Sequence, residues 1–212
     1  MTALFIILFG VAGFVSRPDF PAWFPSTGPT SEKARLVHAE LDKLAVKGRA
    51  PKTGYSRAQF GDGWLKIGGC DTRNIILARD LVDERVDENC KVLSGRLSDP
   101  YTAKTIHFRR GANTSDDVQI DHVVALSDAW QKGAQQLKTR ERESLANDPL
   151  NLLAVDGPVN QQKSDGDAAT WLPPNNAFRC QYVMRQVNVK VKYQLWVTAA
   201  EKEAMRQVLT HC

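Results

Sequence analysis

The spacing of apolar positions along this chain changes from stretch to stretch, and each change marks an element. In residues 31–47, Val37, Leu41 and Leu44 share one helical face, Glu and Lys occupy the other, and Gly48 stands at the stop, which predicts a helix. Residues 55–70 hold Gly61, Gly63, Gly68 and Gly69 around Trp64 and read as loop. Asp71 or Thr72 can cap a second helix through Ile75, Ile76, Leu77 and Leu81, which is expected to run out into the solvated acidic segment DERVDENC. Val92-Leu93 and residues 105–108 are strand-like, joined by a loop containing Gly95 and Pro100. A further strand, Val118-Gln119-Ile120, leads through Asp121-His122 into a second apolar run, residues 123–126. Between Leu126 and Asn151 the chain is polar and poor in β-branched residues, predicting a helix broken near Gly133 and another from Arg140, with Trp130 and Leu137 turned to the core. Asn151 opens the strand-like run LLAV, and Gly157-Pro158 should start a helix. Val183, Val187 and Val191 recur every fourth residue as in a helix, although the alternation over 187–192 also fits a strand. Thr198-Ala-Ala-Glu201 is a capping-box pattern before Met205, Val208 and Leu209.

Composition narrows the class. With 212 residues, 42% of them apolar and 25% charged, the chain is neither disordered nor built to sit in a membrane, and a net charge of +4 mildly favours an anionic partner. The first fifteen residues are apolar and uncharged, too short to span a bilayer comfortably, and resemble the core of an export signal despite lacking a basic start. The expected organisation is therefore a signal or hydrophobic segment at 1–16, a proline-rich linker at 17–30 and one domain at 31–212, secreted, monomeric and without a stable membrane span. Cys70, Cys90, Cys180 and Cys212 lack the close spacing of a structural zinc site, and their even number suits an oxidising compartment. Of three pairings, Cys70 with Cys90 and Cys180 with Cys212 is the one expected.

The candidate chemistry lies between residues 118 and 165, about the extent of the expected core. Phosphodiester hydrolysis needs an activated water and a cation to stabilise charge on the phosphoryl and leaving oxygens. An imidazole near its ordinary pKa can take the proton, a carboxylate and an amide oxygen are hard ligands suited to magnesium, and a neighbouring asparagine can fix the tautomer. His122, Asp121, Asn160 and Asn151 can fill these roles. Singly, each has a plainer reading: a satisfied core pair, a turn residue after Asp148-Pro149, a helix cap. Their order and spacing argue for the set. Lys138, Arg140 and Arg142 could hold phosphates, although Glu141 and Glu143 between them also suit an ordinary charged helix. Asp165-Gly166-Asp167 lacks the further oxygens of a calcium loop and reads as a turn or cap.

The runs IDHVVALSDAW and ANDPLNLLAVDGPVNQQKSDGDAATWLPP, with the tail cysteine segment, resemble the secreted bacterial HNH endonuclease family, in the branch similar to the C-terminal nuclease domain of GmrSD-type restriction enzymes. The likeness covers roughly residues 31 to 212. It implies an α+β domain with a ββα-metal (HNH, or His-Me finger) core surrounded by helices and braced by disulfides. His122 would be the general base, Asp121 and Asn160 the ligands of a divalent ion, and Asn151 the residue that orients His122. Lys163, one turn beyond Asn160, matches a basic position of the family and would contact phosphate. Asn160 stands where many HNH enzymes carry His, so Mg2+ or Mn2+ is expected rather than zinc or nickel. The expected activity is hydrolysis of DNA or RNA with little base readout, since no recognition module is appended. The alternative is a secreted, disulfide-braced binding module in which the Asp-His pair is structural.

Overall fold

A computed structural model describes residues 30–212, other than residue 113. The expected signal at 1–16 and nearly all of the linker lie outside the described residues. The chain forms α1 (Thr30–Lys43), a 3-10 turn (Arg57–Phe60), β1 (Lys66–Ile67), β2 (Cys70–Asp71), α2 (Thr72–Asp80), β3 (Leu81–Val86), β4 (Val92–Ser98), β5 (Thr105–Arg109) and β6 (Val118–His122). There follow α3 (Leu126–Gln131), α4 (Thr139–Asn147), β7 (Leu152–Asp156), α5 (Gly157–Lys163), α6 (Arg179–Lys192) and α7 (Ala199–Thr210). The class is α+β, with three small antiparallel sheets, β1-β2, β3-β4-β5 and β6-β7. Among the described residues no helix is long and apolar enough to cross a membrane.

The ribbon β6-β7 is the centre. His122 pairs with Leu152 and Val118 with Asp156, so one register aligns the two strand-like runs read from the sequence. Alternation then sends Val118, Ile120 and His122 to one face and Gln119 and Asp121 to the other. On the first face Val118, Ile120, Leu152 and Ala154 pack with Ile76 and Leu77 of α2 and Phe108 of β5. On the second lies α5, entered through Gly157, where a Cβ would stand 1.9 Å from the Asp116 carbonyl oxygen, so that no larger residue fits. The Asp156 carboxylate caps α5 by accepting from Val159 N at 2.8 Å. Strand, strand and crossing helix make a ββα unit.

Two readings need correction. The acidic segment after Leu81 is solvated as expected, yet it is not a helix end but opens as β3, an edge strand whose Val82 and Val86 are exposed. Gly95 lies within β4 rather than in a loop, because Leu81 crosses so closely that a Cβ at 95 would meet its Cδ2 at 2.6 Å. The interruption near Gly133 is present, with that residue at φ 122° between α3 and a 3-10 turn. Residues 187–192 are helical, within α6. Cys70 bonds to Cys90 and Cys180 to Cys212, the latter tying the start of α6 to the chain end.

Helices α3, α6 and α7 meet around buried charges. Lys132, fully buried, lies 2.7 Å from each of Asp128, Asp167 and Glu201, Lys190 lies 2.9 Å from Glu201, and Arg49 reaches Asp128 and Asp167. Three cations face three carboxylates, which lets these groups leave water without a net buried charge. Asp167, read as a turn residue, belongs to this network, and its carboxyl lies below the usual range because the Lys132 and Arg49 contacts outweigh the burial that opposes them.

Candidate active site

His122 ends β6 with 7% of its surface exposed. Its Nε2 lies 2.9 Å from the carbonyl oxygen of Ala146 in the last turn of α4. A carbonyl only accepts, so Nε2 carries the proton and Nδ1 keeps its lone pair. The Trp64 ring lies parallel to the imidazole, at 4° and 5.8 Å between centroids. Burial, with the positive charges of Arg57 and Lys163 adding to it, lowers the His122 pKa to about 4 against the opposing pull of the Ala146 bond and Asp121. This departs from the expected imidazole near its ordinary pKa. The ring is neutral at physiological pH, and an anion entering beside it would raise its basicity. His122 faces a cleft of about 290 Å³, lined also by Arg57, Phe60, Trp64, Leu126 and Ala146.

Asn151 makes no hydrogen bond to the ring. Fully buried, it accepts from Val124 N through Oδ1 at 2.8 Å and donates through Nδ2 to the carbonyls of Val124 and Leu145, each at 3.3 Å, while its own carbonyl accepts from Val123 N at 2.8 Å. It fastens the turn after His122 to the end of α4, and the expected contact with the imidazole falls instead to the Ala146 carbonyl. Two guanidiniums hold the same stretch from outside: Arg79 and Arg185 both donate to the carbonyls of Pro149 and Leu152, at 2.8–3.1 Å. Burial and the charge of Arg79 lower Arg185 to about 10.

Asp121 points to the α5 side, away from His122, as alternation requires. Its Oδ1 accepts from Lys163 Nζ at 2.8 Å, its Oδ2 accepts from the Tyr101 hydroxyl, and the residue is 5% exposed. Burial and the adjacent Asp121 charge push the Tyr101 phenol well up, which keeps it a donor. Lys163 is itself 2% exposed and also donates to the His122 carbonyl at 2.9 Å. In this structure the Lys163 ammonium, expected at phosphate, is drawn inward, because Asp121 would otherwise be an unpaired buried charge. Arg142, also expected at phosphate, is engaged within the fold as well. It is buried and donates to the carbonyls of Gln59 and Leu137 and to the side chains of Gln59 and Thr139. Arg140, in contrast, is exposed on the first turn of α4.

The expected metal ligands fit unequally. Asn160 donates through Nδ2 to Gln119 Oε1 at 2.9 Å, and its half-buried side chain keeps Oδ1 free of any hydrogen bond from the described residues. A hard amide oxygen with waters and phosphate around it suits Mg2+. Asp121 accepts one hydrogen bond on each oxygen, from Lys163 and from Tyr101, so an ion there would compete with the Lys163 charge. Among the described residues no cluster of three or more His, Cys, Asp or Glu could hold an ion by itself.

Residues 71–208, which include the whole ββα unit, match the model of a family described as GmrSD restriction endonucleases, C-terminal domain. The chain belongs to this GmrSD C-terminal domain family. It is also 40% identical over 195 residues to an "Uncharacterized secreted protein" of Arthroderma benhamiae, covering 91% of this chain and 92% of that protein. No solved structure matches significantly. The GmrSD match begins after Arg57 and Trp64, two of the cleft-wall side chains that lie in the stretch read as loop. A tryptophan among glycines was the signal for one of them, while Arg57 had none.

Proposed function

We propose that this GmrSD-family domain is a secreted endonuclease that hydrolyses phosphodiester bonds in DNA or RNA, with His122 as the general base. The observation that carries the reading is the tautomer imposed on His122: the Ala146 carbonyl takes the Nε2 proton, leaving a basic Nδ1 on a ring that lines a cleft. Water attacks phosphorus and its proton passes to Nδ1; the bond to one sugar oxygen breaks and that oxygen takes a proton from solvent, giving a phosphate monoester and an alcohol. Trp64 and Leu126 exclude bulk water from the imidazole, and Asn151 with the Arg79–Arg185 pair holds the strands that carry it. Asn160 would hold a divalent ion, Mg2+ or Mn2+, with Asp121 as a second ligand once it exchanges Lys163. Such an ion supplies charge stabilisation at the phosphoryl and leaving oxygens. The unit then corresponds to the ββα-metal core of HNH nucleases. Export is supported by the name of the fungal relative and by two disulfides, since both bridges persist in an oxidising compartment.

The alternative of a non-catalytic, disulfide-braced binding module draws on one observation, the complete engagement of Asp121 within the fold. Incubation with plasmid DNA, single-stranded DNA and RNA in Mg2+, with and without EDTA, separates the two. Cleavage that falls on the order of a hundredfold or more in His122→Ala, with unchanged circular dichroism, is the result expected. No cleavage of any substrate, or an unimpaired variant, would remove His122 from catalysis.

A further inference from the structure

The wall of the cleft over His122 comes from residues 57–65, upstream of the stretch that matches the family model. This segment is anchored at both ends. Phe60, 1% exposed, packs edge-on against the rings of Tyr55 and Trp130, each 6.3 Å away between centroids. Arg142 donates to the Gln59 carbonyl at 2.8 Å and to Gln59 Oε1 at 3.3 Å. At the other end Leu65 N donates to Asn147 Oδ1 at 2.9 Å, and the Leu65 carbonyl accepts from both the amide and the hydroxyl of Thr72. Gly61, at φ 102°, passes Glu143 so closely that a Cβ would stand 3.2 Å from its side chain. The loop is thus held against α4, the helix whose Ala146 carbonyl fixes the His122 ring.

Just ahead of the first anchor stands Arg57, exposed at the cleft, its side chain with no hydrogen bond or ion pair among the described residues. Other cations around the site differ. Lys163 is locked on Asp121, Arg142 on carbonyl oxygens, and Arg79 and Arg185 on the start of β7. Among the described residues Arg57 is thus the cation lining the cleft, and its side chain has no protein acceptor. A guanidinium presents a planar fork of donors that matches two non-bridging phosphate oxygens. We propose that Arg57 grips the phosphodiester in this cleft and holds its phosphorus beside His122 Nδ1, taking the role that the sequence suggested for Lys163 and Arg142. The inference rests on the nuclease reading of the His122 cleft and adds to it a substrate-binding residue supplied from outside the family-matched region.

The test uses a fluorescein-labelled twelve-nucleotide thymidine strand, its binding followed by anisotropy in EDTA between 50 and 200 mM NaCl, and its cleavage followed separately in Mg2+. Compared are the intact protein, Arg57→Gln, Arg57→Lys and, as a charge-matched control on α1, Arg35→Gln. Arg57→Gln should weaken binding about tenfold or more and reduce the slope of log K against log salt by about 0.7, the value for one phosphate on a single strand. Arg57→Lys should keep that slope yet cleave more slowly, because a point charge replaces the fork. Arg35→Gln should bind like the intact protein. Equal affinity and slope in Arg57→Gln and Arg35→Gln overturn the assignment, and if His122→Ala still abolishes cleavage, the nuclease reading survives that result. If the intact protein does not bind the strand, the Arg57 assignment falls, and the nuclease reading falls with it only if plasmid DNA and RNA also stay uncut.

Discussion

Lys163→Met tests the inner side of the site most directly. The ammonium is 2% exposed and makes two hydrogen bonds, to Asp121 Oδ1 at 2.8 Å and to the His122 carbonyl at 2.9 Å. At an effective dielectric of 20, two unit charges at that distance attract by about 6 kcal/mol before desolvation is subtracted. Desolvation cancels much of this when the pair is viewed whole, so the pair's net value against an apolar replacement is near zero. Removing one partner is different, because the other charge stays buried: the expected loss is about 3–5 kcal/mol. That is a large share of the stability of a domain this size, which is on the order of 5–15 kcal/mol. The double variant Lys163→Met/Asp121→Asn no longer buries a lone carboxylate and keeps a polar partner for Tyr101, so it should recover about 2 kcal/mol relative to Lys163→Met. Urea unfolding followed by circular dichroism measures all three proteins, and the slopes report whether unfolding remains two-state. If Lys163→Met unfolds within about 1 kcal/mol of the intact protein while losing affinity for an oligonucleotide, Lys163 is an accessible phosphate ligand and the buried-pair argument fails.

Three further outcomes are expected. Because the His122 pKa drops from 6.5 to about 4 on folding, the unfolded chain binds the extra proton between those values; stability from this group is constant above pH 6.5 and falls by up to about 3 kcal/mol as pH drops to 4. Urea midpoints at pH 7 and 4.5 should therefore separate more in the intact protein than in His122→Ala, and equal separations would refute the shift. The oxidised, denatured protein should show no maleimide-reactive thiol, and Cys180→Ser/Cys212→Ser should lose about 2–5 kcal/mol in the same unfolding assay, a loss under 1 kcal/mol counting against the bridge as a brace. Asn160→Ala should weaken Mn2+ binding in titration calorimetry, and unchanged affinity would remove Asn160 from the ligand set.

Local pattern was enough to read the order β6, helical excursion, β7, α5, since alternating β-branched residues, a Gly-Pro start and capping residues act over a few positions. It also sufficed for the capping box at Thr198 and Glu201, where both reciprocal bonds form. The acidic strand β3 was lost to it, because an edge strand needs no apolar alternation once a neighbour supplies its hydrogen bonds. The same limit explains the site. Lys163 carries no mark of burial, and its place inside depends on a carboxylate 42 positions earlier that only the β6–α5 crossing brings within 2.8 Å. The partner of the His122 ring is a backbone carbonyl, a group every residue possesses, so no sequence signal could single out Ala146. The sequence by itself determined which residues could do acid–base and ligand chemistry and which short elements carry them. Tertiary structure decided which of the cations face inward and which stays free at the cleft, because a charge leaves water only where the fold sets an opposite charge or an acceptor against it.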